Sequence, residues 1–127
     1  MERIFYPLMD VPIVNNWLRT RGLPETSAEL LPARGVINSH AALFLIQASK
    51  QSGILDCLFT NPHSSKEERR TGAERCIEFL IEDAQAMGLR VLQFYTAHYS
   101  EKYGQYMASI KSTHEQTELC KRWVALL

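Results

Sequence analysis

The sequence predicts an α/β protein of the α+β kind: a mixed sheet with a three-strand antiparallel meander, a central parallel strand pair and a long crossover helix. Three observations carry this. An apolar run, Ile54-Leu55-Asp56-Cys57-Leu58-Phe59, stops at Thr60-Asn61-Pro62 and reads as a strand. Ser65 opens an amphipathic helix that closes at Gly88. Arg90 to Thr96 then reads as a second strand, rich in Val, Leu, Phe and Tyr. A strand-helix-strand unit of this length makes a right-handed crossover between parallel strands. It sets a helix N-terminus beside the carboxyl end of a strand, where unpaired N–H groups favour an anion such as a phosphate.

In chain order, Glu2 to Leu8 is rich in Ile, Phe and Tyr and reads as a strand. Asp10 suits an N-cap and Pro12 a first helical turn; Val14, Trp17 and Leu18 follow at helical spacing, and Gly22 closes that helix. Leu23 to Pro32 holds two prolines and small polar residues, a connector with room for a short helical turn. Gly35 to Asn38 and Ala41 to Ala48 read as antiparallel strands joined at Ser39-His40, and Lys50 to Gly53 turns into the Ile54 strand.

The long helix has the strongest pattern. Ser65 with Glu68 fits a capping box. Ala73, Cys76, Ile77, Leu80, Ile81, Ala84 and Met87 share one face, leaving Glu67, Arg70, Glu74, Glu78 and Gln85 for water. Beyond Thr96, Ser100 to Ile110 reads as a further helix, weakened by Gly104. Glu118 to Leu127 reads as a final strand with Leu119, Trp123 and Val124 as its apolar positions.

With 127 residues, 46% of them apolar, the chain is long enough to bury the core of a single domain spanning 1–127. Lys+Arg and Asp+Glu both number 14, a balance that argues against a nonspecific nucleic-acid binder. No apolar run is long enough for a membrane span and no secretory signal opens the chain, so a cytoplasmic protein is expected. Cys57, Cys76 and Cys120 are odd in number and widely spaced, which suits core thiols; no CxxC or Cys/His cluster points to a metal.

Four segments carry a resemblance as a set. They are Trp17-Leu18-Arg19-Thr20-Arg21-Gly22, Leu31-Pro32-Ala33-Arg34-Gly35, Ala42-Leu43-Phe44-Leu45 and Asn61-Pro62-His63-Ser64-Ser65-Lys66-Glu67-Glu68-Arg69. Together with the element order, they make the chain resemble the GNAT acyltransferases, in particular short GNAT-like proteins of bacteriophage genomes, over roughly Ile4 to Thr96. The resemblance implies an N-acyltransferase that moves acetyl from acetyl-CoA, as co-substrate, to an amine of a small molecule or protein. For a viral chain the compartment would be the host cytoplasm.

In that family the pantetheine arm lies along the fourth strand, which here implies contacts from Leu58, Phe59 and Thr60. The pyrophosphate meets backbone N–H groups of the next loop and helix, implying Ser64, Ser65, Lys66, Arg69, Arg70 and Gly72. Arg69-Arg70-Thr71-Gly72-Ala73 resembles the family's Arg-x-x-Gly-x-Gly/Ala signature, with Glu74 standing where Gly or Ala is expected. A glutamate there would repel a pyrophosphate. If Ser65 caps the helix, however, Arg69 to Gly72 lies inside its first turns and the anion site moves to Ser64–Glu68, with Lys66 and Arg69 or Arg70 as side-chain partners.

The family's general acid is a Tyr in the helix after the fifth strand, which protonates the leaving thiolate. Tyr106 sits best for that role, Tyr103 shares its face one turn earlier, and Tyr99 also falls nearby. The usual Gly-Phe after this helix is replaced by Ser109-Ile110. His98, at the end of the fifth strand, is the best located general base; His40 and His63 lie in loops near strand ends, and Asp56 faces either the acceptor cleft or solvent.

Two functions follow from the resemblance. One is an active acyltransferase, favoured by the intact Asn61-Pro62-x-Ser64-Ser65 loop. The other is a catalytically decayed scaffold that binds and modulates a partner, including a host protein, favoured by Glu74 and the missing Gly-Phe. A short C-terminal half leaves strand edges that invite a homodimer or a protein partner.

Overall fold

The computed structural model describes residues 1–96, 113–117 and 121–127. In chain order they form β1 (Arg3–Ile4), α1 (Pro7–Thr20), a 3-10 turn (Ala28–Leu30), β2 (Arg34–Ile37), β3 (Ala41–Gln47), β4 (Ser52–Thr60), α2 (Lys66–Ala86), β5 (Val91–Thr96), β6 (Thr113–Thr117) and β7 (Lys121–Leu126). The strand order is β1-β2-β3-β4-β5-β7-β6. β2 and β3 run antiparallel with Val36 opposite Leu43, and β4 and β5 run parallel with Gly53 opposite Leu92. The expected mixed sheet, with its meander, parallel pair and crossover helix, is therefore present. The chain forms two compact units, Met1–Ile46 with Cys57–Leu80, and Gln47–Asp56 with Ile81–Leu127.

In the first unit, Phe5, Val14, Trp17 and Leu18 bury against Ile37, Ala42 and Phe44, with Cys57 and Phe59 packed at the margin. Phe44 meets Phe5 edge-on at 4.8 Å between ring centroids and Phe59 at 6.2 Å. α1 starts earlier than the sequence suggested, and the strand over Glu2–Leu8 shrinks to two residues. Pro7 takes the first helical position, where its fixed φ fits and its missing N–H is no loss. Tyr6, not Asp10, is the N-cap residue. Asp10 is fully buried inside the helix and reaches back to accept the Tyr6 N–H at 2.7 Å, while Arg3 donates to both of its oxygens at 2.7 Å. Pro12 accordingly lies in the helix interior rather than its first turn.

Both helices end in the same way. Gly22 (φ 70°) and Gly88 (φ 83°) occupy the left-handed region, and the N–H of Leu23 reaches Leu18 O as that of Leu89 reaches Ala84 O. On α2, Ala73, Cys76, Ile77, Leu80 and Ala84 are buried as expected. Ile81, at the edge of the stripe, and Met87, just past the last helical residue, were expected on that face and are only half-buried. Burial pushes the Cys76 thiol up to about 12, so it is a core thiol and no nucleophile.

In the second unit, a tight turn closes with Ala48 N–H on Ser52 O, and β4 begins at Ser52, inside the expected turn. β7 pairs antiparallel with β5 from Val91–Leu126 to Thr96–Lys121. Glu118 and Leu119 of the expected final strand lie outside the described residues, and the partner strand β6 was not expected, since Thr113–Thr117 is polar throughout. The expected helix over Ser100–Ile110, with Tyr99, Tyr103 and Tyr106, lies outside the described residues, as do His98 and Cys120. Among the described residues no helix is long and apolar enough to cross a membrane.

Candidate functional site

Within the first unit, the β2–β3 turn, the loop from β4 to α2 and the start of α2 are tied together by side chains. Asn38 holds the turn: its Oδ1 accepts the N–H groups of His40 and Ala41, each at 2.9 Å, and its Nδ2 donates to Gly72 O at 2.9 Å. Asn61 holds the loop. Its N–H donates to His40 O at 2.9 Å, its Nδ2 to Ser39 O at 3.1 Å, and its Oδ1 accepts the His63 N–H at 2.9 Å. Pro62 needs no backbone donor here, which explains Asn-Pro in the loop.

Ser65 and Glu68 form the capping box. Ser65 N–H donates to Glu68 Oε1 at 2.8 Å and Glu68 N–H to Ser65 Oγ at 3.1 Å. The Ser65 N–H, then its hydroxyl, hold the Glu68 carboxyl below the usual carboxylate range. The chain thus adopts the register in which Arg69 to Gly72 lies within the helix. Gly72 is buried there, and an added Cβ would stand 2.7 Å from His40 Cβ and 3.0 Å from Asn38 Oδ1, so its lack of a side chain lets α2 approach the β2–β3 turn. Glu74 accepts from Arg70 Nε at 3.1 Å, one turn further along, and its charge is matched away from the helix end.

Ser64 ties the loop to the β2–β3 turn and to α2. Its Oγ lies 2.7 Å from His40 Nδ1 and its carbonyl accepts from Arg69 Nη1 at 2.7 Å. His40 Nε2 is in turn 3.9 Å from Glu68 Oε2. Lys66 is exposed at the first helical position, Leu58 is exposed, and Phe59 is half-buried in the core. His63 and Asp56 are exposed. Beside α2, Glu2, His40, Glu67, Glu68 and Arg75 help line a polar cavity of about 400 Å³.

Arg21 is the residue to which sequence reasoning gave no role. Leaving α1 at its C-cap, it donates through Nη1 to the Thr60 carbonyl and through Nη2 to Thr60 Oγ1 at 2.9 Å. Burial, then the nearby Arg69 charge, lower its proton affinity. The signal was in the sequence as Arg21-Gly22: the glycine ends the helix so that the preceding arginine leaves its axis. Of the expected site residues, Thr60, Ser64, Ser65, Lys66, Arg69, Arg70 and Gly72 fall along one continuous strand-loop-helix segment.

No family model matches the chain, and no curated protein matches its sequence. Solved structures do match its fold. The N-acetylglutamate synthase of Neisseria gonorrhoeae, solved with coenzyme A and N-acetyl-glutamate, superposes with a TM-score of 0.66 at 15% identity, over 100% of this chain and 35% of that one. This chain thus spans about a third of the synthase. The ribosomal-protein-S18-alanine N-acetyltransferase of Escherichia coli gives 0.69 at 15% identity, covering 100% and 93%. Ard1 of Thermoplasma volcanium gives 0.71 at 7% identity, covering 100% and 97%. At these identities the likeness is one of fold, and it is the mixed α+β fold that the resemblance implied.

Proposed function

We propose that the chain is a GNAT-type N-acyltransferase, one domain over 1–127, that transfers acetyl from acetyl-CoA to an amine of a small molecule or protein. The observation that supports this most is the capped start of α2 at the end of β4, with Lys66 and Arg69 beside it, in a fold shared with a synthase solved with coenzyme A. The donor set suits phosphate groups: the positive end of the helix dipole and the cations of Lys66, Arg69 and Arg70 attract them, offset in part by Glu67 and Glu68.

When bound, acetyl-CoA supplies the activated thioester. In this reading the backbone of Leu58, Phe59 and Thr60 aligns the pantetheine arm, and Ser64, Ser65, Lys66, Arg69 and Arg70 take the phosphates. Gly72 contributes by letting α2 pack close. His98 accepts a proton from the acceptor ammonium so that the neutral amine attacks the carbonyl carbon. As the C–S bond breaks, Tyr106, or Tyr103 in its place, gives its proton to the leaving thiolate and recovers one from the attacking nitrogen as the amide forms. The cytoplasmic setting, the phage-type origin and a homodimer belong to the same proposal.

Isothermal titration with acetyl-CoA and with CoA tests it. Saturable binding of both below millimolar concentration is expected; no heat up to millimolar concentration rejects it. A second reading, a decayed scaffold that docks a partner protein, is favoured by one feature: α1 and its cap expose Tyr6, Leu8, Met9 and Ile13.

A further inference from the structure

The peptide that closes β4 has its two polar ends held by different parts of the first unit. The Asn61 N–H donates at 2.9 Å to the carbonyl of His40, just ahead of β3, the neighbour of β4 in the sheet. The peptide is trans, so the Thr60 carbonyl points the opposite way, to the edge of β4 turned away from β3. That edge pairs with β5 from Ser52–Val91 to Ile54–Gln93, and among the described residues the ladder does not reach Leu58–Thr60. Between the two stretches Cys57, at φ 57°, breaks the extended backbone. What meets the Thr60 carbonyl is a side chain. Arg21 donates to it through Nη1 and to Thr60 Oγ1 through Nη2 at 2.9 Å, across 39 positions of sequence.

We propose that Arg21 is a positioning residue: it fixes the open edge of β4 at Thr60, so that the strand meets the pantetheine arm already ordered. The inference rests on the acyltransferase reading and concerns the arm, not the phosphates. An extended chain that adds to a strand edge is held by backbone hydrogen bonds, and it binds more tightly the less backbone is left to order on binding. Past Ile54 the open edge has no ladder to order it, and Arg21 steadies its far end. A guanidinium suits the task, because its planar fork engages carbonyl and hydroxyl together. By holding the Thr60 carbonyl it also steadies the Asn61 N–H of the same peptide on His40 O. The loop beyond has ties of its own, from Asn61 Nδ2 to Ser39 O, from Ser64 to His40 and through the capping box. Losing Arg21 should therefore loosen the strand end and leave the loop in place.

The test is titration of the wild-type chain, Arg21→Gln and Arg21→Lys with CoA and with adenosine 3′,5′-diphosphate, the nucleotide end of CoA without the arm. Melting temperature and hydrogen exchange at the Asn61 amide are measured on the same proteins without ligand. In Arg21→Gln, CoA binding should weaken about three- to tenfold, the usual loss for one hydrogen-bonded contact, while the nucleotide binds unchanged. The Asn61 amide should exchange faster and the melting temperature should hold. Arg21→Lys, which keeps the charge without the fork, should recover part of the loss. Equal losses for CoA and the nucleotide would place Arg21 on the phosphate end and overturn the inference. Weaker CoA binding with Asn61 exchange unchanged would make Arg21 a direct ligand contact and overturn it too. Unchanged CoA affinity in Arg21→Gln removes the inference alone and leaves the acyltransferase reading standing. If the wild type binds no CoA, that reading falls and the inference with it.

Discussion

Asn38 and Gly72 lock the β2–β3 turn to α2: the Asn38 amide donates to the Gly72 carbonyl at 2.9 Å, and its oxygen would stand 3.0 Å from any β-carbon added to that glycine. In an open helix, Gly→Ala gains about 1 kcal/mol. Here the new methyl also meets the His40 β-carbon at 2.7 Å, and neither neighbour is the free end of a flexible chain. Gly72→Ala should therefore destabilise the protein, by about 1–3 kcal/mol as overpacking usually does. A urea titration showing a more stable variant would refute the close approach.

Arg3 and Asp10 set the acid limb of stability. Burial pushes the Asp10 carboxyl up, but the Arg3 guanidinium and the Tyr6 N–H outweigh it and hold the group below its ordinary value. A carboxyl lowered in the folded state stabilises the fold fully above its unfolded pKa, about 3.9. That contribution is lost as pH falls below this value toward the folded one. Melting temperature should drop on acidification below about pH 4, and Asp10→Asn should flatten the drop. The flattening will be partial, because the Glu68 carboxyl is lowered too. At neutral pH, Arg3→Ala leaves a fully buried carboxylate short of its partner and should cost about 1–3 kcal/mol or more.

Most of this architecture could be read from the chain because its signals are local. The capping box needs only Ser65 and Glu68, and the helix stripe only a 3.6-residue period. What escaped depends on a pairing partner rather than on the segment's own pattern. Asp10 has the composition of an N-cap, yet Arg3 draws it inward and the helix begins four residues earlier, with Tyr6 as its N-cap. Thr113–Thr117 has no apolar alternation and becomes a strand through pairing with β7. In the candidate site, the loop from Asn61 to Ser65 was legible, whereas Arg21 reaches Thr60 across 39 positions and left only Arg21-Gly22 as a trace.

The buried stripe of α2 makes a graded series. Leu80 is fully buried, Ile81 half-buried and Glu78 exposed. Leu80→Ala should cost about 2–5 kcal/mol. Ile81→Ala should cost distinctly less, because part of its side chain already meets water, and Glu78→Ala should stay within about 0.5 kcal/mol. Chemical denaturation of the three variants in parallel checks the order. Equal losses for Leu80→Ala and Glu78→Ala would mean that the helix presents a different face.

Tyr106→Phe tests the chemistry of the proposed transfer. The substitution removes one hydroxyl and keeps the ring, so packing and CoA affinity should persist while the proton for the leaving thiolate is lost. A positioned general acid contributes roughly 100- to 10,000-fold in rate. Transfer to an identified acceptor should fall by that order in Tyr106→Phe, with the KM for acetyl-CoA little changed. Tyr103→Phe serves as the internal comparison, since a loss confined to it would move the role to Tyr103. A full transfer rate in both variants would leave the thiolate to take its proton from water and would remove both tyrosines from the mechanism. Because the titrations with CoA do not depend on turnover, loss of the acid and loss of the carrier site are told apart: the first slows transfer in a chain that still binds CoA, the second abolishes binding itself.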